Sequence, residues 1–168
     1  MEFVLTVIIL ILDQVTKIWA ARILSIHPVV LVPGVLELTY IENQGAVWGL
    51  MQGWRIVFLV ATFIFLGILI WFYMKKRNDM SLLTRIIVSL LFSGAVGNLI
   101  DRVFLGYVRD MIYFSLINFP VFNIADSAIT IAAALLVIEK FFVKGHNTTF
   151  DLMENCFPKK SNKSEDEQ

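Results

Sequence analysis

Two aspartates, Asp110 and Asp126, carry the most specific chemistry in this sequence. Each sits in a largely apolar stretch, Tyr107-Val108-Arg109-Asp110-Met111 and Phe119-Pro120-Val121-Phe122-Asn123-Ile124-Ala125-Asp126-Ser127. Two carboxylates in one dry pocket do not both ionise cheaply; one pKa rises, the other falls, and a single proton is shared. The ionised member can take a proton from water while the neutral member polarises a carbonyl. Such hydrolysis requires neither a metal nor a nucleophilic side chain. The proton belongs to the coupled pair, although a helix N-terminus at Asp126 favours its charged form and points to Asp110 as the acid. Asp126 also has a purely structural explanation, because Asn123 reads as an N-cap with Asp126 at N3, the spacing of a capping box. That explanation does not reach Asp110.

Three further clusters place polar groups where they are costly. A charge inside a membrane segment costs about 2.5–3.5 kcal/mol on insertion scales. In Asp13-Gln14-Val15-Thr16-Lys17, Asp13 and Lys17 share a helix face at i,i+4 spacing and can pair towards the interior; a direct catalytic role for Asp13 is the alternative. In Asn43-Gln44-Gly45-Ala46-Val47-Trp48-Gly49, Asn43 and Gly45 suggest a tight turn with exposed backbone groups. That loop either grips a peptide or lipid headgroup, or simply places Trp48 and Trp54 in an interfacial aromatic belt. In Ser93-Gly94-Ala95-Val96-Gly97-Asn98-Leu99-Ile100-Asp101-Arg102, the residues Gly94, Gly97, Asn98 and Asp101 share one helical face. Small residues there admit a neighbouring helix or a substrate, and Arg102 supplies a fixed positive charge.

Other chemistries are poorly served. The one cysteine, Cys156, lies in a polar tail and reads as a spare thiol, and the two histidines, His27 and His146, are far apart. No histidine- or cysteine-based metal site and no cofactor is expected. The formal net charge is zero, which gives no reason to expect nucleic acid as a partner.

The elements that must position these residues are membrane helices. The chain is 58% hydrophobic and 17% charged, with mean hydropathy +0.75, against roughly 25% charge in soluble domains. A span needs about 20 mostly apolar residues, and residues 3–24, 55–74, 83–105 and 121–143 qualify. The first lacks a basic flank before its apolar run and is interrupted by Asp13 and Lys17, so it reads as a retained helix, not a cleaved signal. Lys75, Lys76, Arg77 and Arg85, together with Lys144, Lys159, Lys160 and Lys163, place both termini in the cytoplasm. Residues 25–54 and 106–120 then face outward. Within 25–54, the turn signals His27-Pro28 and Pro33-Gly34 precede Leu36, Leu38 and Tyr40 alternating with Glu37, Thr39 and Ile41, which predicts a small β element. Residues 1–144 read as one membrane-embedded domain and 145–168 as a polar, mobile cytoplasmic tail, in which Asn147-Thr148-Thr149 is a meaningless glycosylation match.

In their order along residues 13–127, these motifs resemble the lipoprotein signal peptidase (signal peptidase II) family of bacterial membrane aspartic endopeptidases. The resemblance rests on Asp13 to Lys17, Asn43 to Gly49, Gly94 with Gly97 to Arg102, Gly106 to Asp110 and Phe122 to Ser127. It implies four transmembrane helices with an extracytoplasmic β-cradle, and a catalytic pair at Asp110 and Asp126. It implies that Asn43, Asn98, Arg102 and Asn123 line the site, with Asp101 another motif position. It also implies prolipoprotein substrates whose lipobox cysteine carries a diacylglyceryl group, cut just before that cysteine. Met111 stands where the family usually has Phe, an apolar exchange.

The expected protein is thus a multi-pass, monomeric endopeptidase of the bacterial cytoplasmic membrane. Its partners are membrane lipids and a lipid-modified precursor, and its site lies near the outer face. Asp13, Lys17 and Gly45 join the supporting set. Two rival readings use the same carboxylates: proton or ion translocation, and a Mg²⁺ enzyme built on Asp101, Asp110 and Asp126.

Overall fold

The computed structural model describes residues 2–45, 53–143 and 148–156. Four long helices form a bundle: α1 (Glu2–Ile23), α2 (Arg55–Lys76), α3 (Leu82–Phe104) and α4 (Ile124–Phe142). Three of them, α1 to α3, are long and apolar enough to cross a membrane. In α4 the apolar run carries Asp126, Glu139 and Lys140.

Helix α3 is the centre of the bundle and packs on α1, α2 and α4. Its small residues make that possible. A Cβ at Gly94 would lie 2.5 Å from the Ala125 carbonyl oxygen, and one at Gly97 would lie 2.7 Å from Asp13 Oδ2. The two glycines therefore serve the approach of α4 and α1. The outer faces of α1 and α2 expose Phe3, Ile11, Ile56, Phe63 and Ile64, as helices facing hydrocarbon do.

At one end, a three-stranded antiparallel sheet runs β1 (Val29–Val32), β2 (Leu36–Asn43), β3 (Val108–Tyr113), in that spatial order. The Pro33-Gly34 turn is as expected: Gly34 has φ +70° and Val35 N–H donates to the Val32 carbonyl at 3.0 Å. Strand β2 shows no clean alternation of burial, because it is the central strand. Its Leu38 and Tyr40 pack on Ala20, Leu24 and Met111. The β element is thus larger than the sequence suggested, since β3 comes from residues read only as an outward loop.

Helix boundaries follow local chemistry. Ser81 accepts from Thr84 N–H at 3.0 Å and starts α3. Gly106, at φ +92°, turns the chain from α3 into β3. Arg55, at the start of α2, donates to the last carbonyls of α3, Arg102 at 2.9 Å and Val103 at 3.0 Å. Helix α4 begins at Ile124, three residues later than the apolar run suggests. Phe122 is instead held against β3, donating to and accepting from Ile112.

Residues 148–156 of the tail form a packed element. Thr148 caps a short helix, α5 (Thr149–Glu154), whose Leu152 and the following Cys156 are buried against Leu69, Phe72, Met80 and Val88. Cys156 is therefore a core side chain, not a spare thiol. The positions Ala46 to Gly49, Lys144 to Asn147 and Lys159 to Lys163, including Trp48 and His146, lie outside the described residues.

Candidate active site

Asp110 is the third residue of β3 and is paired opposite Ile41 of β2. The backbone amides of Met111 and Ile112 both donate to the Phe122 carbonyl, at 3.0 and 2.9 Å, which ties the strand to the segment entering α4. Asp126 follows at the N3 position of α4. Both carboxylates line one cleft of about 770 Å³. Asn43, Gly45, Asn98 and Arg102 line it too, and Phe58, Phe114 and Phe119 contribute to an otherwise apolar wall.

Three asparagine amides hold the two aspartates. Asn43 Nδ2 donates to Asp110 Oδ2 at 2.9 Å, and Asn123 Nδ2 donates to Asp110 Oδ1 at 2.7 Å. Asn98 Nδ2 donates to Asp126 Oδ1 at 2.7 Å. In each case the amide oxygen faces a group that can only donate. Gly45 N–H meets Asn43 Oδ1 at 3.0 Å, Asp126 N–H meets Asn123 Oδ1 at 2.9 Å, and Lys17 Nζ meets Asn98 Oδ1 at 3.0 Å. Flipping any of these amides would set two donors face to face, so all three NH₂ groups are committed to the carboxylates. The capping box read from the sequence is present as well, with Asn123 N–H donating to Asp126 Oδ2 at 3.3 Å. Capping and pairing therefore coexist at Asp126 and do not compete.

Beneath the pair lies a buried ionic cluster. Lys17 and Asp13 are 2.9 Å apart and fully buried, and Asp101 is 3.6 Å from Lys17. Arg109 grips Asp101 with both ends of its guanidinium, at 2.7 and 3.1 Å, and adds its backbone N–H at 2.9 Å. Gln14 joins Arg109, Asp13 and the Gly97 carbonyl. Asp13 Oδ1 accepts from Ala125 N–H at 2.9 Å, so α1 caps the N-terminus of α4. Two anions and two cations balance, which offsets the desolvation cost of burying them.

Asp110 itself is 2% exposed. Burial pushes its carboxyl up to about 7, and the Asp126 charge adds to the rise, while the amides of Asn43 and Asn123 pull the other way. A carboxyl poised there can hold a proton at neutral pH.

Comparison with known proteins places this arrangement. The sequence profile of Signal peptidase (SPase) II matches residues 5–142. The chain belongs to the signal peptidase II family. It is similar to a lipoprotein signal peptidase of Staphylococcus carnosus, with 40% identity covering 82% of this chain and 88% of that one. It is 39% identical to one of Streptococcus thermophilus, over 76% of this chain and 83% of that one. A bacterial membrane enzyme solved by the in meso method at 2.3 Å superposes with TM-score 0.75 and 35% identity, covering 88% of this chain and 93% of that one. A second, at 1.9 Å, gives TM-score 0.74 and 36% identity over 85% and 94%. The protein is thus a peptidase of a bacterial membrane.

Within the peptidase, most residues singled out in the sequence meet. Asp110, Asp126, Asn43, Gly45, Asn98 and Arg102 line the cleft. Asn123 bridges the two aspartates from behind. Asp13 and Lys17 pair as their spacing predicts. Asp101 does not join the aspartates; both its oxygens are taken by Arg109, so the trio of carboxylates that would hold Mg²⁺ does not form. Nor does Asp101 pair with its neighbour Arg102, whose guanidinium lies 5.1 Å over the Phe58 ring. Sequence reasoning gave no role to Arg109 or Gln14. The signal for Arg109 is its place beside Asp110 on a strand, where successive side chains point to opposite faces. The aromatic wall is hidden in the sequence among many apolar residues.

Proposed function

We propose that this peptidase removes signal peptides from diacylglyceryl-modified prolipoproteins, cutting before the lipidated cysteine with a water activated by Asp110 and Asp126. The observation that carries the proposal is two aspartates lining one cleft, each held by asparagine NH₂ groups whose orientation is fixed. The names of the relatives, lipoprotein signal peptidases, supply the substrate class.

In this reading Asp126, at the positive end of α4 and hydrogen-bonded by Asn98, is the ionised member and takes a proton from water. Asp110 holds the proton and donates it to the oxygen of the scissile carbonyl as water adds, so that the tetrahedral intermediate is a neutral diol, from which Asp110 regains a proton on collapse while Asp126 gives up its own. Collapse of the intermediate returns a proton to the leaving amine and restores the pair. Arg102 lies over the Phe58 ring, makes no ion pair within 4.0 Å among the described residues and sits in the field of Asp126 and Asp110, where it can meet a polar group of the substrate. The apolar wall suits acyl chains. Asp13 and Lys17 brace the site from below.

The proposed topology has four spans, both termini cytoplasmic and the sheet end of the bundle outward. Supporting it, Arg85 pairs with Glu2, and Thr84 donates to Glu139, so the start of α1, the basic 75–85 segment and the end of α4 share one end.

Cleavage of purified lipidated precursor tests the function. Asp110→Asn and Asp126→Asn should each lower turnover by roughly 10³-fold or more while leaving the protein folded. Normal turnover by either variant would sink the mechanism. Equal cleavage of unlipidated precursor would remove the lipid requirement.

A further inference from the structure

Lys17 is a fully buried cation that touches neither aspartate of the pair. Its Nζ has four oxygen neighbours: Asp13 Oδ2 at 2.9 Å, Asn98 Oδ1 at 3.0 Å, the Gly97 carbonyl at 3.4 Å and Asp101 Oδ2 at 3.6 Å. An ammonium donates and never accepts, so it commits Asn98 to one of two orientations. The oxygen of Asn98 faces Lys17 and also receives Asn123 Nδ2 at 3.1 Å. Its NH₂ is thereby left to Asp126 Oδ1. Without the ammonium, the Asn98 oxygen keeps one donor, Asn123 Nδ2, in place of two, and an oxygen turned towards Asp126 would meet a carboxylate with no hydrogen between them.

The other two site amides are set differently. Asn43 and Asn123 are oriented by backbone N–H groups of Gly45 and Asp126, which the fold supplies by itself. Asn98 is instead oriented by side chains, Lys17 from α1 and Asn123 at the cap of α4. Losing the ammonium would also take from the buried Asp13 its nearest cation, so the charge serves the ionic cluster as well as Asn98. The hydrogen bond that links this charge to Asp126 is the one to Asn98.

We propose that Lys17 is a positioning residue of the peptidase, turning the Asn98 amide so that its NH₂ holds Asp126 ready to activate water. This rests on the aspartate-pair reading above. Lys17 acts through Asn98 and touches no substrate atom. The charged groups around the pair are Asp13 and Lys17 from α1, Asp101 and Arg102 from α3, Arg109 from β3, and Asp110 and Asp126 themselves.

A double-mutant cycle on purified protein tests it, with Lys17→Met, Asn98→Leu and both together assayed on lipidated precursor. Each single variant should lower kcat by about 100-fold with KM changed less than about 3-fold. The double variant should lie within about 3-fold of Asn98→Leu alone, because the second change removes a link already broken. Losses that multiply, to about 10⁴-fold, would overturn the proposal and leave Lys17 a packing residue. A charge-balanced variant, Asp13→Asn with Lys17→Met, covers failure to fold, since the amide oxygen it introduces can still accept from Ala125 N–H. It should remain folded, by its thermal midpoint, and still lose about 100-fold in kcat. Wild-type turnover in it, or loss of folded protein in every variant, would equally overturn the proposal. Asp110→Asn and Asp126→Asn run alongside. If those two cleave normally, the aspartate pair itself falls; if they are inactive and the cycle is additive, only the role of Lys17 falls.

Discussion

The peptidase buries polar clusters at both ends of its bundle, and the two are built differently. Around the site, Asp13, Lys17, Asp101 and Arg109 form opposed charges held at 2.7 to 3.6 Å. At the other end, Glu139 is 1% exposed and, among the described residues, accepts from neutral donors, Thr84 Oγ1 at 3.2 Å and Thr149 N–H at 2.9 Å. The first cluster joins α1, α3, β3 and the start of α4, which are the elements that carry the aspartates and their amides. The second joins α3 and α4 to α5, where nothing in the proposed chemistry resides. Balanced charges surround the proposed catalytic pair, whereas neutral hydrogen bonds fasten the other end.

That contrast breaks most sharply at Asp101. Replacing it with Asn leaves Lys17 and Arg109 with one anion between them. Breaking a buried pair costs about 3–5 kcal/mol, so the thermal midpoint should drop steeply and cleavage should fall with it. A variant of wild-type stability would show that the cluster is not the brace described.

The pH dependence sharpens the same contrast. Asp110 is raised from its ordinary 3.8 to about 7 in the folded protein. The folded state therefore holds a proton that the unfolded chain gives up, and this group's contribution to stability declines as pH rises from about 4 to about 7. Above that window the cost is constant. Asp110→Asn has no such carboxyl, so its thermal midpoint relative to the parent should climb over that window and then level. Turnover should decline as pH passes about 7, when the proposed acid loses its proton. A midpoint difference flat with pH would contradict the burial of Asp110.

The smallest effect belongs to the far cluster. Glu139→Leu leaves Thr149 N–H without its acceptor and takes one partner from Thr84, which keeps Ser81, at about 1–3 kcal/mol. Hydrogen exchange in residues 149–156 should rise, and cleavage should stay within about 2-fold of the parent. A large loss of activity would mean that the far cluster reaches the site.

The cluster at the site is far more legible in the sequence than the one at the far end. A charge in an apolar run announces itself, so Asp13, Lys17, Asp101, Asp110 and Asp126 stand out by cost alone. The glycines follow from helical spacing. Strand β3 escapes notice because Val108, Asp110 and Met111 are all buried, which destroys the alternation that identifies a strand. Arg109 needs that strand before its partner can be found. The start of α4 is blurred because Val121 and Phe122 are as apolar as the helix they precede, although Asn123 marks the cap. Helix α5 is lost to composition: its surroundings are polar, yet Thr148 and Asp151 have capping-box spacing ahead of Leu152. Cys156 looks idle because nothing local shows that Leu69 and Phe72 would cover it.

The spacing of Asp13 and Lys17 has one more consequence, for biogenesis. A helix entering the bilayer with a lone aspartate would need its partner already there. Helix α1 carries acid and base four residues apart on one face, 2.9 Å from each other, and so brings its own counter-ion. It can partition into lipid as a nearly neutral segment before any other helix has been synthesised. When α4 arrives, Asp13 still has an oxygen to offer Ala125 N–H, and Lys17 still has protons for Asn98. The pair that first eases insertion is later reused as the scaffold on which the rest of the enzyme is hung.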